Sequence, residues 1–221
     1  MRTVTRVAFL HTGAVVIPPV MELAGRLLPD ATTINYLDDR IVADLSDAER
    51  AASVPERVTD LVQAAQRAGA DVVMLTCSSI SQLAGAAAER VGIPVLRIDE
   101  AMADQAVHAG ERIAVLATLP TTCEPTVALI RERAELAGLD RSITSEVIDG
   151  AFAAVSGGDR ETHDRLVGDA IERVAPHADV VVLAQASMAS AAGAVKVDVP
   201  VLTSLEPGIR RLRERLAAEK G

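Results

Sequence analysis

The run Thr76-Cys77-Ser78-Ser79 sets a thiol among three hydroxyls. The apolar stretch Asp71–Leu75 before it predicts a buried strand, and Gln82–Arg90 after it predicts a helix. Cys77 therefore stands where a strand hands over to a helix. Unpaired backbone N–H groups and the helix dipole favour negative charge at such a point. A thiol there would have its thiolate stabilised, making it both a nucleophile and a base. The hydroxyls of Thr76, Ser78 and Ser79 can donate to a substrate carboxylate. The competing reading is a small buried cysteine closing a strand, but core positions favour apolar neighbours rather than hydroxyls on both sides. A second hydroxyl cluster, Thr118, Thr121 and Thr122, also follows a predicted strand, and Pro120 suits a first helical turn. It reads as a helix cap or a ligand cradle. Cys123, just inside that segment, reads as structural. His11, beside Thr12, ends the first predicted strand and could carry a proton. His163, in Asp159-Arg160-Glu161-Thr162-His163-Asp164, is expected on the surface at a helix start; His108 and His177 are expected at helix ends. No His/Cys/Asp cluster has metal-ligand spacing, and no dinucleotide or phosphate-loop fingerprint occurs, so no metal or cofactor is expected.

The same pattern recurs in the second half. Asp71-Val-Val-Met-Leu-Thr-Cys77-Ser-Ser79 aligns with Asp179-Val-Val-Val-Leu-Ala-Gln185-Ala-Ser187. Arg6–Thr12 aligns with Arg112–Thr118, and Val91–Leu96 with Val197–Leu202, in the same order and at nearly the same offset. An internal duplication accounts for this order. It puts Gln185, with Ala186 and Ser187 after it, opposite Cys77.

The elements that must carry these residues follow from periodicity. Strands are predicted at Arg6–Leu10, Asp71–Leu75, Pro94–Ile98, Arg112–Leu116, Ile143–Ile148, Asp179–Leu183 and Pro200–Leu202. Helical patterns include Pro55–Ala68, Gln82–Arg90, Pro125–Ala137, Asp159–Ala175 and Ile209–Ala218. Strand–helix alternation with β-branched strands predicts an α/β fold with parallel sheets covered by helices on both faces. Ligands bind at the carboxyl ends of such strands. Two facing halves would gather Thr12, Thr118, Cys77 and Gln185 in one cleft. Hydrophobic residues are 49% of the chain but aromatics only 1%, so the core is aliphatic and a base-stacking platform is excluded. The net charge of −9 leaves nucleic acid out as a partner, and Arg210–Arg215 reads as the solvated face of a last helix. Two cysteines argue against a disulfide framework, and Val7–Leu10 is too short for a signal or membrane span. A cytoplasmic protein without membrane partners is expected.

Thr76-Cys77-Ser78-Ser79, Leu116-Ala117-Thr118 with Thr121, and Leu183-Ala184-Gln185-Ala186-Ser187-Met188-Ala189 together resemble the aspartate/glutamate/hydantoin racemase superfamily over nearly the full chain. The last segment is similar to the Leu-Gly-Cys-Ala-Gly-Met-Ala form of that family's second cysteine motif. The resemblance implies two flavodoxin-like lobes, a cleft between them, no cofactor, a small carboxylate substrate and a homo-oligomer of two or more subunits. It implies lobes of residues 1–98 with 207–221 and of residues 99–206. It also implies two cysteines flanking the substrate's stereocentre, one to take the α-proton and one to return it. Cys77 matches the first; Gln185 stands at the second, and an amide does not titrate near neutral pH. Gln185 could still donate a hydrogen bond to a developing enolate. Three readings follow: an isomerase or racemase using Cys77 with a substitute such as His11, a single-cysteine lyase like the arylmalonate decarboxylases, or a non-catalytic carboxylate binder.

Overall fold

A computed structural model of the chain, which describes residues 4–218, contains two four-stranded sheets, each entirely parallel. The chain divides into two compact lobes. One holds the residues through Ile98 and those from Leu205 onward; the other is Asp99–Ser204.

The first lobe runs β1 (Arg6–His11), α1 (Ile17–Leu27), β2 (Thr32–Leu37), α2 (Ile41–Asp44), α3 (Ala48–Ala51), α4 (Val54–Arg67), β3 (Val72–Leu75), α5 (Ala84–Val91) and β4 (Val95–Arg97). The second runs α6 (Glu100–Ala109), β5 (Arg112–Ala117), α7 (Pro120–Leu136), β6 (Ser142–Val147), α8 (Ala151–Ser156), α9 (Arg160–Val174), β7 (Val180–Leu183), α10 (Ala189–Ala192) and β8 (Val201–Leu202). Then α11 (Leu205–Ala218) returns to the first lobe, where Glu206 meets Arg26 of α1. The sheet orders are β2-β1-β3-β4 and β6-β5-β7-β8. The segments aligned in the sequence fall on β1 with β5, β3 with β7 and β4 with β8.

The central strands are continuous apolar runs because both faces are covered. Val72–Leu75 and Val180–Leu183 are buried at every position. Each fully buried Val or Leu contributes about 1.5–3 kcal/mol relative to exposure, so each run contributes several kcal/mol to the core of its lobe. Their starts are pinned alike. The Arg6 amide donates to Asp71 Oδ2 at 2.7 Å, and the Arg112 amide to Asp179 Oδ2 at 2.8 Å.

Three expectations need correction. Strand β2 is absent from the predicted set; its residues are only partly buried at a sheet edge, so Thr-Thr-Ile-Asn-Tyr-Leu lacks a continuous apolar run. The helix expected from Pro125 begins at Pro120 and carries Pro125 inside it, which costs one helical hydrogen bond without ending the helix. His163 is not on the surface. It is completely buried in the first turn of α9, on the same face as Val167, Ala170 and Ile171. By contrast, Arg210, Arg213 and Arg215 are exposed along α11, as a solvated face requires. Among the described residues no helix is long and apolar enough to cross a membrane.

Candidate active site

The first lobe builds its candidate site from the ends of β1 and β3. Leu10 pairs with Leu75, and one step further the Thr76 amide donates to the Leu10 carbonyl at 3.0 Å. His11 and Thr76 are thereby placed side by side. Cys77 follows in extended conformation and precedes a tight 3-10 helix, Ser78–Leu83, that leads into α5. The Cys77 carbonyl accepts from the Ile80 amide at 3.2 Å. Its thiol is half-buried and packs against the apolar cluster of the first lobe. The flanking hydroxyl residues are turned inward. Thr12, Thr76, Ser78 and Ser79 are all buried, and Thr76 Oγ1 lies 3.0 Å from the Leu10 carbonyl oxygen. Cys77 is thus the least enclosed member of its motif.

His11 is completely buried and held at both ring nitrogens. Nδ1 lies 2.8 Å from Thr76 Oγ1 and Nε2 lies 2.9 Å from Asn35 Oδ1. Burial pushes its imidazole below the ordinary histidine range, and the Asn35 hydrogen bond pulls the other way. Asn35 escapes the sequence reading because it sits on the unpredicted β2; the apolar alternation of Ile34 and Tyr36 is the signal that would have found it.

The second lobe repeats the backbone with different chemistry. Leu116 pairs with Leu183, and the Ala184 amide donates to the Leu116 carbonyl at 2.9 Å. The side-by-side pair is now Ala117 and Ala184, both buried. Gln185 follows, extended like Cys77. Its carboxamide is clamped: Oε1 accepts from the Thr118 amide at 2.6 Å, and Nε2 donates to Thr118 Oγ1 at 2.7 Å. Gln185 thus joins the ends of β5 and β7. Thr118 and Thr122 are buried; Thr121 is partly buried, and its Oγ1 has no hydrogen-bond partner. Ala186 and Ser187 are partly buried, and the Ser187 carbonyl accepts from Arg160 at 2.8 Å. Arg160 lies outside the expected set, since nothing in the spacing links α9 to this turn. Cys123 is buried, and burial pushes its thiol up, which fits a structural role. Among the described residues, no group of three or more His, Cys, Asp or Glu is placed to hold a metal ion.

The family model for Asp/Glu/hydantoin racemases matches residues 12–212, nearly the whole chain. The chain belongs to the Asp/Glu/hydantoin racemase family. No curated protein matches this racemase-family chain by sequence. Solved structures do match. Glutamate racemase from Francisella tularensis in complex with D-glutamate is 13% identical over 98% of this chain and 82% of that one, with a TM-score of 0.79. Allantoin racemase from Klebsiella pneumoniae is 19% identical over 98% and 89%, with a TM-score of 0.68. A liganded double mutant of arylmalonate decarboxylase, glycine to cysteine and cysteine to serine, is 23% identical over 98% and 94%, with a TM-score of 0.62. At these identities the likeness is one of fold, and the two-lobed α/β architecture is the racemase-family architecture.

Proposed function

We propose that this racemase-family protein is a cofactor-independent isomerase acting on a small carboxylate such as an amino acid, a dicarboxylate or a hydantoin-like compound, with Cys77 as the reacting group. The observation that carries the reading is the contrast among three positions. Cys77 is half-buried at the carboxyl end of a central strand, Cys123 is enclosed in the core, and Gln185 holds an amide. As a thiolate, Cys77 takes the α-proton and becomes a thiol. The electron pair of the broken C–H bond delocalises into the adjacent carboxylate, and a proton then returns to carbon. As a nucleophile, Cys77 would instead add to a substrate double bond and leave after rotation. Gln185 does not titrate and cannot be the second acid. Under the same reading the protein works in the cytoplasm as a homo-oligomer.

A second reading is a single-cysteine lyase that releases carbon dioxide and protonates the resulting enediolate. The absence of a thiol at position 185 favours it, and so does likeness to a decarboxylase. If Cys77 proves inert, the remaining reading is a non-catalytic carboxylate binder.

One screen separates these. Small dicarboxylates, amino acids, hydantoins and malonates are incubated with the protein in heavy water and followed by NMR. Deuterium at an α-carbon supports the isomerase, and carbon dioxide release supports the lyase. Neither event with any compound, alongside saturable binding, overturns both in favour of the binder.

A further inference from the structure

The two lobes differ at the pair of residues set side by side where their central strands end. In the second lobe the pair is Ala117 and Ala184; in the first it is His11 and Thr76. Burying an imidazole and a hydroxyl is costly unless each is hydrogen-bonded, whereas two alanines cost nothing of the kind. In each lobe the second member of the pair immediately precedes the site residue, so a polar pair leads into the thiol and an apolar pair into the amide.

The hydrogen bonds fix its protonation. Asn35 turns Nδ2 toward Met21 Sδ at 3.2 Å, so Oδ1 faces His11 and can only accept. His11 Nε2 must therefore donate. A neutral ring then leaves Nδ1 as an acceptor, and the Thr76 hydroxyl can supply it. Of that hydroxyl's two acceptors, Nδ1 is the nearer, at 2.8 Å against 3.0 Å for the Leu10 carbonyl, which also accepts the Thr76 amide. The ring packs on Phe9, with centroids 6.3 Å apart. Its neighbours thus come from β1 (Phe9), β2 (Asn35) and the end of β3 (Thr76). None is charged, and burial is the larger influence on the ring, holding its pKa below the ordinary histidine range.

We propose that His11 is a positioning residue for Cys77: neutral and protonated on Nε2, it accepts a hydrogen bond from the Thr76 hydroxyl, fixes the peptide that carries the thiol, and exchanges no proton with substrate. This rests on Cys77 as the reacting group, but its test needs no substrate. An imidazole that served as the thiol's proton partner would form an imidazolium–thiolate pair and keep the thiol reactive well into acid. A neutral brace gives a profile governed by the thiol alone.

The probe is iodoacetamide, with alkylation of Cys77 resolved by peptide mass spectrometry from pH 5.5 to 9. The wild type is expected to show one ionisation. His11→Asn places an amide near Nδ1 without a titrating group, and should leave the Cys77 rate within about two-fold of wild type. His11→Ala frees the Thr76–Cys77 peptide and should raise the rate about ten-fold, roughly the factor one buried hydrogen bond supplies. Ring 15N NMR of the wild type should show Nε2 protonated and Nδ1 bare at pH 7, a result that stands even if His11→Ala fails to fold. A ring protonated on both nitrogens at pH 7 overturns the proposal. So does a reactive plateau at acid pH, an Asn variant that behaves like the Ala variant, or an Ala variant that behaves like wild type. Inactivity of every candidate substrate would sink the enzymatic reading and leave these results standing.

Discussion

Replacing Gln185 by alanine removes two hydrogen bonds at once. The Thr118 amide loses its 2.6 Å acceptor, and Thr118 Oγ1 loses its 2.7 Å donor. A neutral intramolecular hydrogen bond contributes about 0.5–1.5 kcal/mol net, and a buried donor left without a partner costs about 1–3 kcal/mol. Gln185 is itself only partly buried and water reaches some of the vacated space, so the expected loss is about 2 kcal/mol. Because the chain has two compact lobes, a single unfolding midpoint would blur the effect. Amide hydrogen exchange resolves it locally. Peptides covering β5 and β7 should exchange about thirty-fold faster in Gln185→Ala, since 1.36 kcal/mol is a factor of ten. Peptides covering β1 and β3 should not change. Thr118→Val removes one of the two bonds and should cost about 1 kcal/mol. The double variant should cost about 1 kcal/mol less than the two singles added, because both singles break the same bond. Gln185→Met, which keeps the length and loses the polar end, should resemble Gln185→Ala. Strict additivity, or an exchange change under two-fold in Gln185→Ala, would refute the clamp.

Other outcomes follow from the same geometry. A Cβ at Gly208 of α11 would lie 2.3 Å from the Ile98 carbonyl oxygen, so Gly208→Ala should destabilise the first lobe by about 1–3 kcal/mol, read by hydrogen exchange in α1 and α11. Asp179 is held at about 2, below 3.8, by hydrogen bonds from the Arg112 side chain and the Arg112 amide. A carboxyl lowered on folding adds stability that is present above its unfolded value and lost as pH falls through the folded one. The second lobe should therefore weaken from pH 3.8 toward about 2, and Asp179→Asn should flatten that slope in a circular dichroism titration. Alkylation at pH 8 should modify half-buried Cys77 at least about ten-fold faster than Cys123, whose thiol is buried and pushed up. Equal rates would contradict the placement of the two thiols.

The sheets were largely legible because their central strands are continuous apolar runs, such as Val180–Leu183, which need no knowledge of neighbours. Edge strand β2 was not, because its character depends on what covers one face. The same limit applies at the site. Spacing located Cys77 and Gln185 at strand ends, and the absence of a thiol at position 185 was plain. It could not say that Thr76 turns its hydroxyl into the sheet, or that Gln185 spends its amide on Thr118. Those are consequences of three-dimensional reach between strands far apart in sequence. His163 shows the same thing for burial: polar neighbours in the chain suggested solvent, while the helical repeat aligned it with Val167.

The proposed function stands on Cys77 being the reacting group. It is tested most directly by deuterium wash-in from heavy water at the α-carbon of the best substrate from the screen, comparing wild type, Cys77→Ser and Cys123→Ser. Removal of a proton-transferring group commonly costs about a hundred- to ten-thousand-fold in rate. A loss of that size is expected in Cys77→Ser, with Cys123→Ser close to wild type. Wash-in by Cys77→Ser at the wild-type rate would contradict it.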